Sequence, residues 1–510
     1  MISKVFCLTV NGLESEIIEV EVDINAGLPN FTIVGLPDQG VQESKERLRS
    51  ALKSSEFKLP TTRITVNLAP ADIKKSGVVF DLPIAIGILN NAGDIKDNNY
   101  LKNSIFIGEL SLDGGVRAIT GVLPSVIGAM QKGYKNIFIP YDNYYEASVI
   151  EGINIIAVEN LADLVDFLNG EKTLENPPKL SLENLVNIKN DKYDFKYIIG
   201  QVQARRALEI AAAGLHNIIM SGPPGSGKTL LAKTFSTILP KLTLDEIIEI
   251  SKIYSVSGLL TKDNPLIISR PFRTIHHTAS SISIIGGGRN AKPGEISLAH
   301  KGVLFLDEVL EFPKQVLEVL RQPLEDGTIS VNRVNSSYIY PAKFVLLGAM
   351  NPCPCGYLTD PDKECICSSD TIKRYRSKLS GPMIDRIDIM IEVPKVKTED
   401  FSSKKDYSNI EDSKTIASRV EKARIIQLNR FSGLNITSNS QMTTSQINKF
   451  CELDEVGEKM MKQALNTMNL SARAYFRILK LSRTIADLEA SENIKAQHIA
   501  ESLSYRKVEE

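Results

Sequence analysis

The stretch Gly222-Pro223-Pro224-Gly225-Ser226-Gly227-Lys228-Thr229 constrains this chain more than any other. It lies between a short apolar run, Asn217-Ile218-Ile219-Met220-Ser221, and a helically spaced run from Leu230 to Ile238. A strand, a glycine loop and a helix in that order turn backbone N–H groups inward and place a helix N-terminus behind them, which makes a cradle for phosphate. Lys228 supplies a cation for β- and γ-phosphate charge, and the Thr229 hydroxyl is placed for Mg2+. A chance glycine turn explains the residues less well, because it does not require both flanks.

A second run, Gly302-Val303-Leu304-Phe305-Leu306-Asp307-Glu308, gives four apolar residues and then two carboxylates. In a parallel sheet, ligands sit beyond the carboxyl ends of the strands, where these acids emerge. Asp307 is expected to organise magnesium and Glu308 to polarise an attacking water. The run Phe344-Val345-Leu346-Leu347-Gly348-Ala349-Met350 forms another strand ending at Asn351, a polar side chain suited to sensing the γ-phosphate; capping a turn is its plainer role. Two arginines bear on assembly: Arg386, in Gly381-Pro382-Met383-Ile384-Asp385-Arg386, and Arg473, which opens a helix after Leu470-Ser471-Ala472. A cation delivered from a neighbouring subunit to the transferring phosphate demands a ring, whereas a surface ion pair demands nothing.

At 510 residues the chain exceeds one compact core, and three domains are expected. Residues 1–170 combine strand candidates (17–22, 31–34, 64–68, 105–110, 137–140, 153–158) with helical periods (41–52, 83–91, 122–132, 161–168). Residues 171–192 are polar, contain Pro177-Pro178 and read as a linker. Residues 193–397 alternate strands with helices, as a parallel nucleotide-binding sheet requires. Residues 398–510 begin with a charged, serine-rich connection and continue as helices only, a lid-like bundle over 415–431, 444–451, 456–466, 472–489 and 496–503. The fold class is therefore multidomain α/β with a helical C-terminal domain. With 60 basic and 61 acidic side chains the net charge is −1, so any nucleic-acid surface must be local. No run approaches roughly 18 apolar residues and no secretory h-region opens the chain, so the expectation is a cytoplasmic protein without a membrane span.

Four of the six cysteines, Cys353, Cys355, Cys365 and Cys367, form Cys-x-Cys, nine residues, Cys-x-Cys. Four thiolates in so short a loop can close a tetrahedral zinc site, although one-residue spacing is tighter than the usual two to four. An iron–sulfur cluster and reduced thiols in a flexible loop are the alternatives. His276-His277 suggests packing or a phosphate-facing role before a metal, since adjacent side chains diverge.

Taken together these residues resemble the magnesium-chelatase-like branch of AAA+ ATPases, and within it the ComM/YifB family. The likeness runs nearly end to end. It is carried by Gly27-Leu28-Pro29 with Ile33-Val34-Gly35-Leu36-Pro37-Asp38, by Gly200-Gln201 with Arg206 to Gly214, by Arg270-Pro271-Phe272-Arg273 with His276-His277-Thr278, and by Asn351-Pro352-Cys353-Pro354-Cys355-Gly356. The resemblance implies a hexameric motor using ATP and Mg2+, and for the ComM side ATP-driven DNA branch migration or helicase action in recombination, competence and natural transformation. A protein-remodelling chaperone of the magnesium-chelatase motor type is the alternative from a different class.

Residues 1–170 also resemble the Lon protease domain, which implies a ribosomal S5 domain 2-like fold. Gly108-Glu109-Leu110-Ser111-Leu112-Asp113-Gly114 through Ile137-Phe138-Ile139-Pro140 follows the Lon pattern. Where that family carries its serine and lysine, this chain has Ile84 and Leu123, so Ser-Lys peptide hydrolysis lacks both nucleophile and base. Three segments are candidates for DNA. In the related helicase and chelatase branch an insert at the level of Gly286 to Gly294, with Arg289 and Lys292, projects into the pore. A hairpin from Thr328–Val331 and Ser337–Tyr340 with Arg333 at its tip is the second, and the basic run Lys373 to Lys378 is the third; its plainer role is a solvated helix face. Cations in a pore can track phosphates without reading bases.

Overall fold

The computed structural model describes residues 2–75, 77–96, 99–179, 192–288, 291–332, 337–396, 410–468 and 470–506. They fall into two compact units, Met1–Asn187 with Leu244–Ile268, and Ile188–Thr243 with Ser269–Glu510.

The first unit is built on a seven-stranded mixed sheet in the order Asn30–Val34, Arg63–Ala69, Glu14–Asn25, Ser3–Asn11, Ser104–Phe106, Asn136–Pro140, Asn154–Val158. Alternation writes the faces: in Arg63–Ala69 the side chains of Ile64, Val66 and Leu68 turn inward and their neighbours do not. The helix Asp81–Ala92 is apolar for almost its whole length and lies in the core, with Leu82, Ile84, Ile86 and Ile88 shielded completely. Its first carboxylate, Asp81, is buried and accepts from Arg47 Nε at 2.7 Å, Ser44 Oγ at 2.5 Å and the Leu110 amide at 3.3 Å. Those partners offset the cost of desolvating the charge. The single strand expected over 105–110 is two pieces, Ser104–Phe106 and Glu109–Leu110. The break falls at Gly108, whose amide donates to Val79 O rather than to a neighbouring strand.

Local pattern gives no sign that Leu244–Ile268 belongs with the first unit. Its helix, Leu244–Ser257, buries Ile247, Ile250, Ile253 and Tyr254. The helix is fastened where Gly121 N donates to Ser255 O at 3.1 Å and Leu123 N to Ser255 Oγ at 3.4 Å.

The second unit holds a five-stranded sheet, every pair parallel, in the order Phe272–Ile275, Val303–Leu306, Val345–Met350, Ile218–Ser221, Ile389–Glu392. Parallel strands covered on both faces read as continuous apolar runs, and Val303–Leu306 is buried at every residue. The C-terminal helices share this core: Ile416, Val420, Ala423, Leu481 and Ile485 pack in one cluster with Leu208, Ile218 and Phe305. A smaller cluster around Phe431, Met461, Ile478 and Ile499 holds the remaining helices together. Among the described residues no helix is long and apolar enough to cross a membrane.

Candidate functional site

Parallel pairing sets the ends of adjacent strands side by side. Ser221 is in register with Met350 and with Glu392, and Leu306 with Gly348. The residues that follow these ends, Gly222, Asn351 and Asp307, therefore gather along one edge of the sheet, where such folds hold ligands.

Gly227 takes φ 89°, a conformation L side chains rarely adopt, and launches the helix Lys228–Phe235 directly from the loop. The Lys228 ammonium is almost fully buried. It donates to Gly222 O at 2.7 Å and Pro223 O at 2.9 Å, and stands 3.4 Å from both Ser226 Oγ and Asn351 Oδ1. Burial pulls its pKa down to about 8, against the opposing pull of the Asp307 and Glu308 carboxylates. A cation kept in the cradle at that cost fits a site meant for polyanionic phosphate.

Thr229 Oγ1 donates to Asp307 Oδ2 at 3.0 Å, so the hydroxyl and carboxylate expected to share a magnesium ion are already adjacent. Both are hard oxygen donors, the type Mg2+ takes. Glu308 stands next in the chain at φ 54°, a left-handed conformation uncommon outside glycine. Its amide donates to Asp307 Oδ1 at 3.2 Å, and its Oε2 lies 3.5 Å from His277 Nδ1. The approach of His277 is the feature the sequence did not offer. It follows from Phe272–Ile275 pairing with Val303–Leu306, which carries the residue two places past Ile275 to the residue two places past Leu306. The two imidazoles of His276 and His277 lie with centroids 4.2 Å apart and their planes tilted by 33°, and His276 Nδ1 meets Thr278 Oγ1 at 2.8 Å.

The two arginines meet each other's partner instead of the phosphate loop. Arg386 is buried, ion-paired with Glu325, and donates to Pro382 O at 2.6 Å. Arg473, largely exposed, stands 3.8 Å from the same Glu325 carboxylate. Among the described residues, no hydrogen bond or ion pair found for either arginine reaches residues 222–229.

The four cysteine sulfurs of 353, 355, 365 and 367 lie within 4.8 Å of one another. Of the DNA candidates, Arg289 and Arg333 lie outside the described residues. What is described joins two of the three segments: Gly286–Gly287 pairs with Lys292–Pro293, and the hairpin Thr328–Asn332 with Ser337–Pro341 donates from Tyr340 Oη to Ala291 O at 2.9 Å. The basic run falls on the helix Ser369–Arg376 and beyond. Arg376 Nε and Lys378 Nζ are engaged by Pro352 O and Leu310 O, while Lys373 and Arg374 face solvent. In the first unit, Ile84 and Leu123 are both fully buried.

Family models for the magnesium chelatase subunit ChlI match residues 194–401, for subunit ChlI of Mg-chelatase residues 20–143, and for its C-terminal part residues 410–506. Among curated proteins, the chain is 44% identical over 497 residues to "Competence protein ComM" of Haemophilus influenzae, covering 97% of this chain and 95% of that one. This chain belongs to the ComM/YifB family of magnesium-chelatase-like AAA+ proteins. Escherichia coli YifB is 39% identical over 98% of this chain and 96% of its own. A shorter likeness, 30% over 191 residues and a third of each chain, links it to "Lon protease 2" of Bacillus subtilis, in keeping with Lon-like homology in the N-terminal part. AAA+ proteins of this family are typically oligomeric and imply ATP and Mg2+.

Proposed function

We propose that this chain is an ATP-driven motor acting on DNA, a hexamer whose work is branch migration or helicase action during recombination and the uptake of DNA in competence. The observation that carries the DNA half is the likeness, end to end at 44% identity, to a relative named as a competence protein. The motor half is supported by the gathering of Lys228, Thr229, Asp307 and Asn351 at one edge of a parallel sheet.

In this scheme the amides of residues 225–229 and the Lys228 ammonium bind the phosphates, and Thr229 and Asp307 hold Mg2+. The ion, when bound, offsets charge on the phosphate oxygens. Glu308 takes a proton from the attacking water, and Asn351 orients the γ-phosphate. Arg386 and Arg473 act on the site of an adjacent protomer, which is why their partner in the isolated chain is Glu325 rather than residues 222–229. The segment around Gly286–Pro293 and the hairpin it touches move as one along the DNA backbone. The first unit, with apolar residues at 84 and 123, serves assembly or partner contact and not peptide cleavage.

The test is a branch-migration assay of the wild type against Lys228→Ala, with ATP turnover followed in parallel with branched DNA, single-stranded DNA and unfolded protein. Turnover stimulated by DNA and abolished by the substitution is the expected result. Undiminished hydrolysis in Lys228→Ala sinks the site, and stimulation by protein but not DNA sinks the DNA role.

A further inference from the structure

The cysteine loop is part of the nucleotide site's wall. Cys353 Sγ lies 3.3 Å from Cys355 Sγ and 3.6 Å from Cys365 Sγ, and Cys355 and Cys365 are also 3.6 Å apart. One ion with zinc–sulfur bonds of about 2.3 Å sets tetrahedral sulfur–sulfur edges of about 3.8 Å, close to these separations. A multi-iron cluster spreads its thiolates over different irons and holds them farther apart. Four thiolates without an oxygen donor select a borderline-soft ion over magnesium or calcium. Apolar burial does not order the far half of the loop: Ile366, between two of the cysteines, is 89% exposed.

The turn between the two halves of the cluster bears directly on the phosphate loop. Gly356 takes φ 84°, and a Cβ there would stand 2.7 Å from Pro224 Cδ and 3.9 Å from Asn351 Cγ. Glycine is needed twice over, for the left-handed backbone and for the close approach. The other side of the loop is held by Lys395 Nζ, 2.6 Å from Asp362 Oδ2; Lys395 is the third residue past the strand Ile389–Glu392, which lies next to the phosphate loop's own.

We propose that Cys353, Cys355, Cys365 and Cys367 bind one Zn2+ and that the resulting knuckle is a strut for the phosphate loop, so that metal occupancy sets nucleotide affinity. The second half rests on ATP binding at residues 222–229; the first half does not. Without the ion, four mutually close thiols have no reason to stay together, the turn at Gly356 loosens, and Pro224 and Asn351 lose the surface they rest on.

The experiment uses the full chain. Metal content is measured by mass spectrometry, the site is reloaded with Co2+, and binding of a fluorescent ATP analogue is titrated before stripping with a thiol-directed mercurial, after it, and after Zn2+ is returned. Expected are one zinc per chain, a Co2+ spectrum with sulfur-to-metal charge transfer in tetrahedral geometry, and affinity that falls about tenfold on stripping and recovers with Zn2+. Gly356→Val provides a second arm: it leaves all four ligands in place, so it should keep its zinc and still lose nucleotide affinity. Four freely titrating thiols, or iron with visible sulfur-to-iron absorption, overturn the zinc site. Unchanged affinity after stripping overturns the strut. A zinc-loaded chain that binds no ATP analogue overturns the strut together with the nucleotide site, while a one-to-one zinc content still upholds the metal site.

Discussion

The Thr229 hydroxyl donates to the Asp307 carboxylate across 3.0 Å, which joins the start of the phosphate-loop helix to the end of the strand Val303–Leu306. In the proposed mechanism these two oxygens share Mg2+. Asp307→Asn removes the charge and keeps the shape, so turnover should drop on the order of a hundredfold, the scale at which one preorganised charge-stabilising group acts. Half-saturation by Mg2+ should move to higher concentration. Titrating turnover with Mg2+ checks this, and an unshifted half-saturation point counts against a shared ion.

Glu308 differs from Lys228 in what its loss should do. Lys228 lies inside the cradle and touches its carbonyls, whereas Glu308 is half exposed beside His277. Glu308→Gln should retain ATP and lose turnover by about 10²–10⁴, the contribution typical of a positioned general base. Binding and hydrolysis measured on the same preparation separate the cases. A variant that fails to bind nucleotide shows that Glu308 is holding the site together instead.

Arg386 and Arg473 converge on Glu325, and that arrangement makes a mixing experiment decisive. If Arg386 serves the neighbouring protomer, Arg386→Ala and Lys228→Ala are each inactive alone, yet mixed rings contain interfaces with an intact arginine facing an intact phosphate loop. Turnover should reappear on mixing, at a fraction of wild type. Arg473→Ala should lose less than Arg386→Ala, because Arg473 is largely exposed and its distance to Glu325 is longer. No recovery in any mixture means that the arginines act only within their own chain.

Much of this site is legible in the sequence because its chemistry is written in short contiguous runs. The phosphate loop, the acid pair after an apolar run and Asn351 after another each announce both a strand and the polar residue at its end, and the parallel sheet then has to align them. What stays hidden depends on pairing between distant segments. Nothing near His277 names Glu308 as its neighbour; only the register of Phe272–Ile275 against Val303–Leu306 does so. Glu325 carries no motif, yet it is where both arginines land. Gly356 against Pro224 is likewise a contact of two loops. The helix Leu244–Ser257 is the clearest case: its apolar spacing forecasts a buried face but not which unit buries it. The sequence order suggested the unit on either side, whereas Leu244–Ile268 joins the first unit.

That helix also carries a pH dependence. Glu146, in the short helix Tyr144–Ala147, is buried against it, bonded by Asn143 Nδ2 at 3.3 Å and by the Ser255 side chain. Burial raises its pKa from 4.5 to about 8, more than those hydrogen bonds can offset. Between these values the folded chain keeps a proton that the unfolded chain releases, so folding takes up a proton and stability falls as pH rises. Below pH 4.5 both states are protonated and the difference vanishes. Glu146→Gln cannot ionise and keeps the hydrogen-bonding shape. The variant should match the wild type near the acid end of this window and exceed it near pH 8, by an amount on the order of a few kcal/mol at most. Urea midpoints of both chains across that range give the comparison. A wild-type-to-variant difference that stays constant with pH shows that Glu146 is already ionised in the folded protein, with its charge met by groups around Ser255.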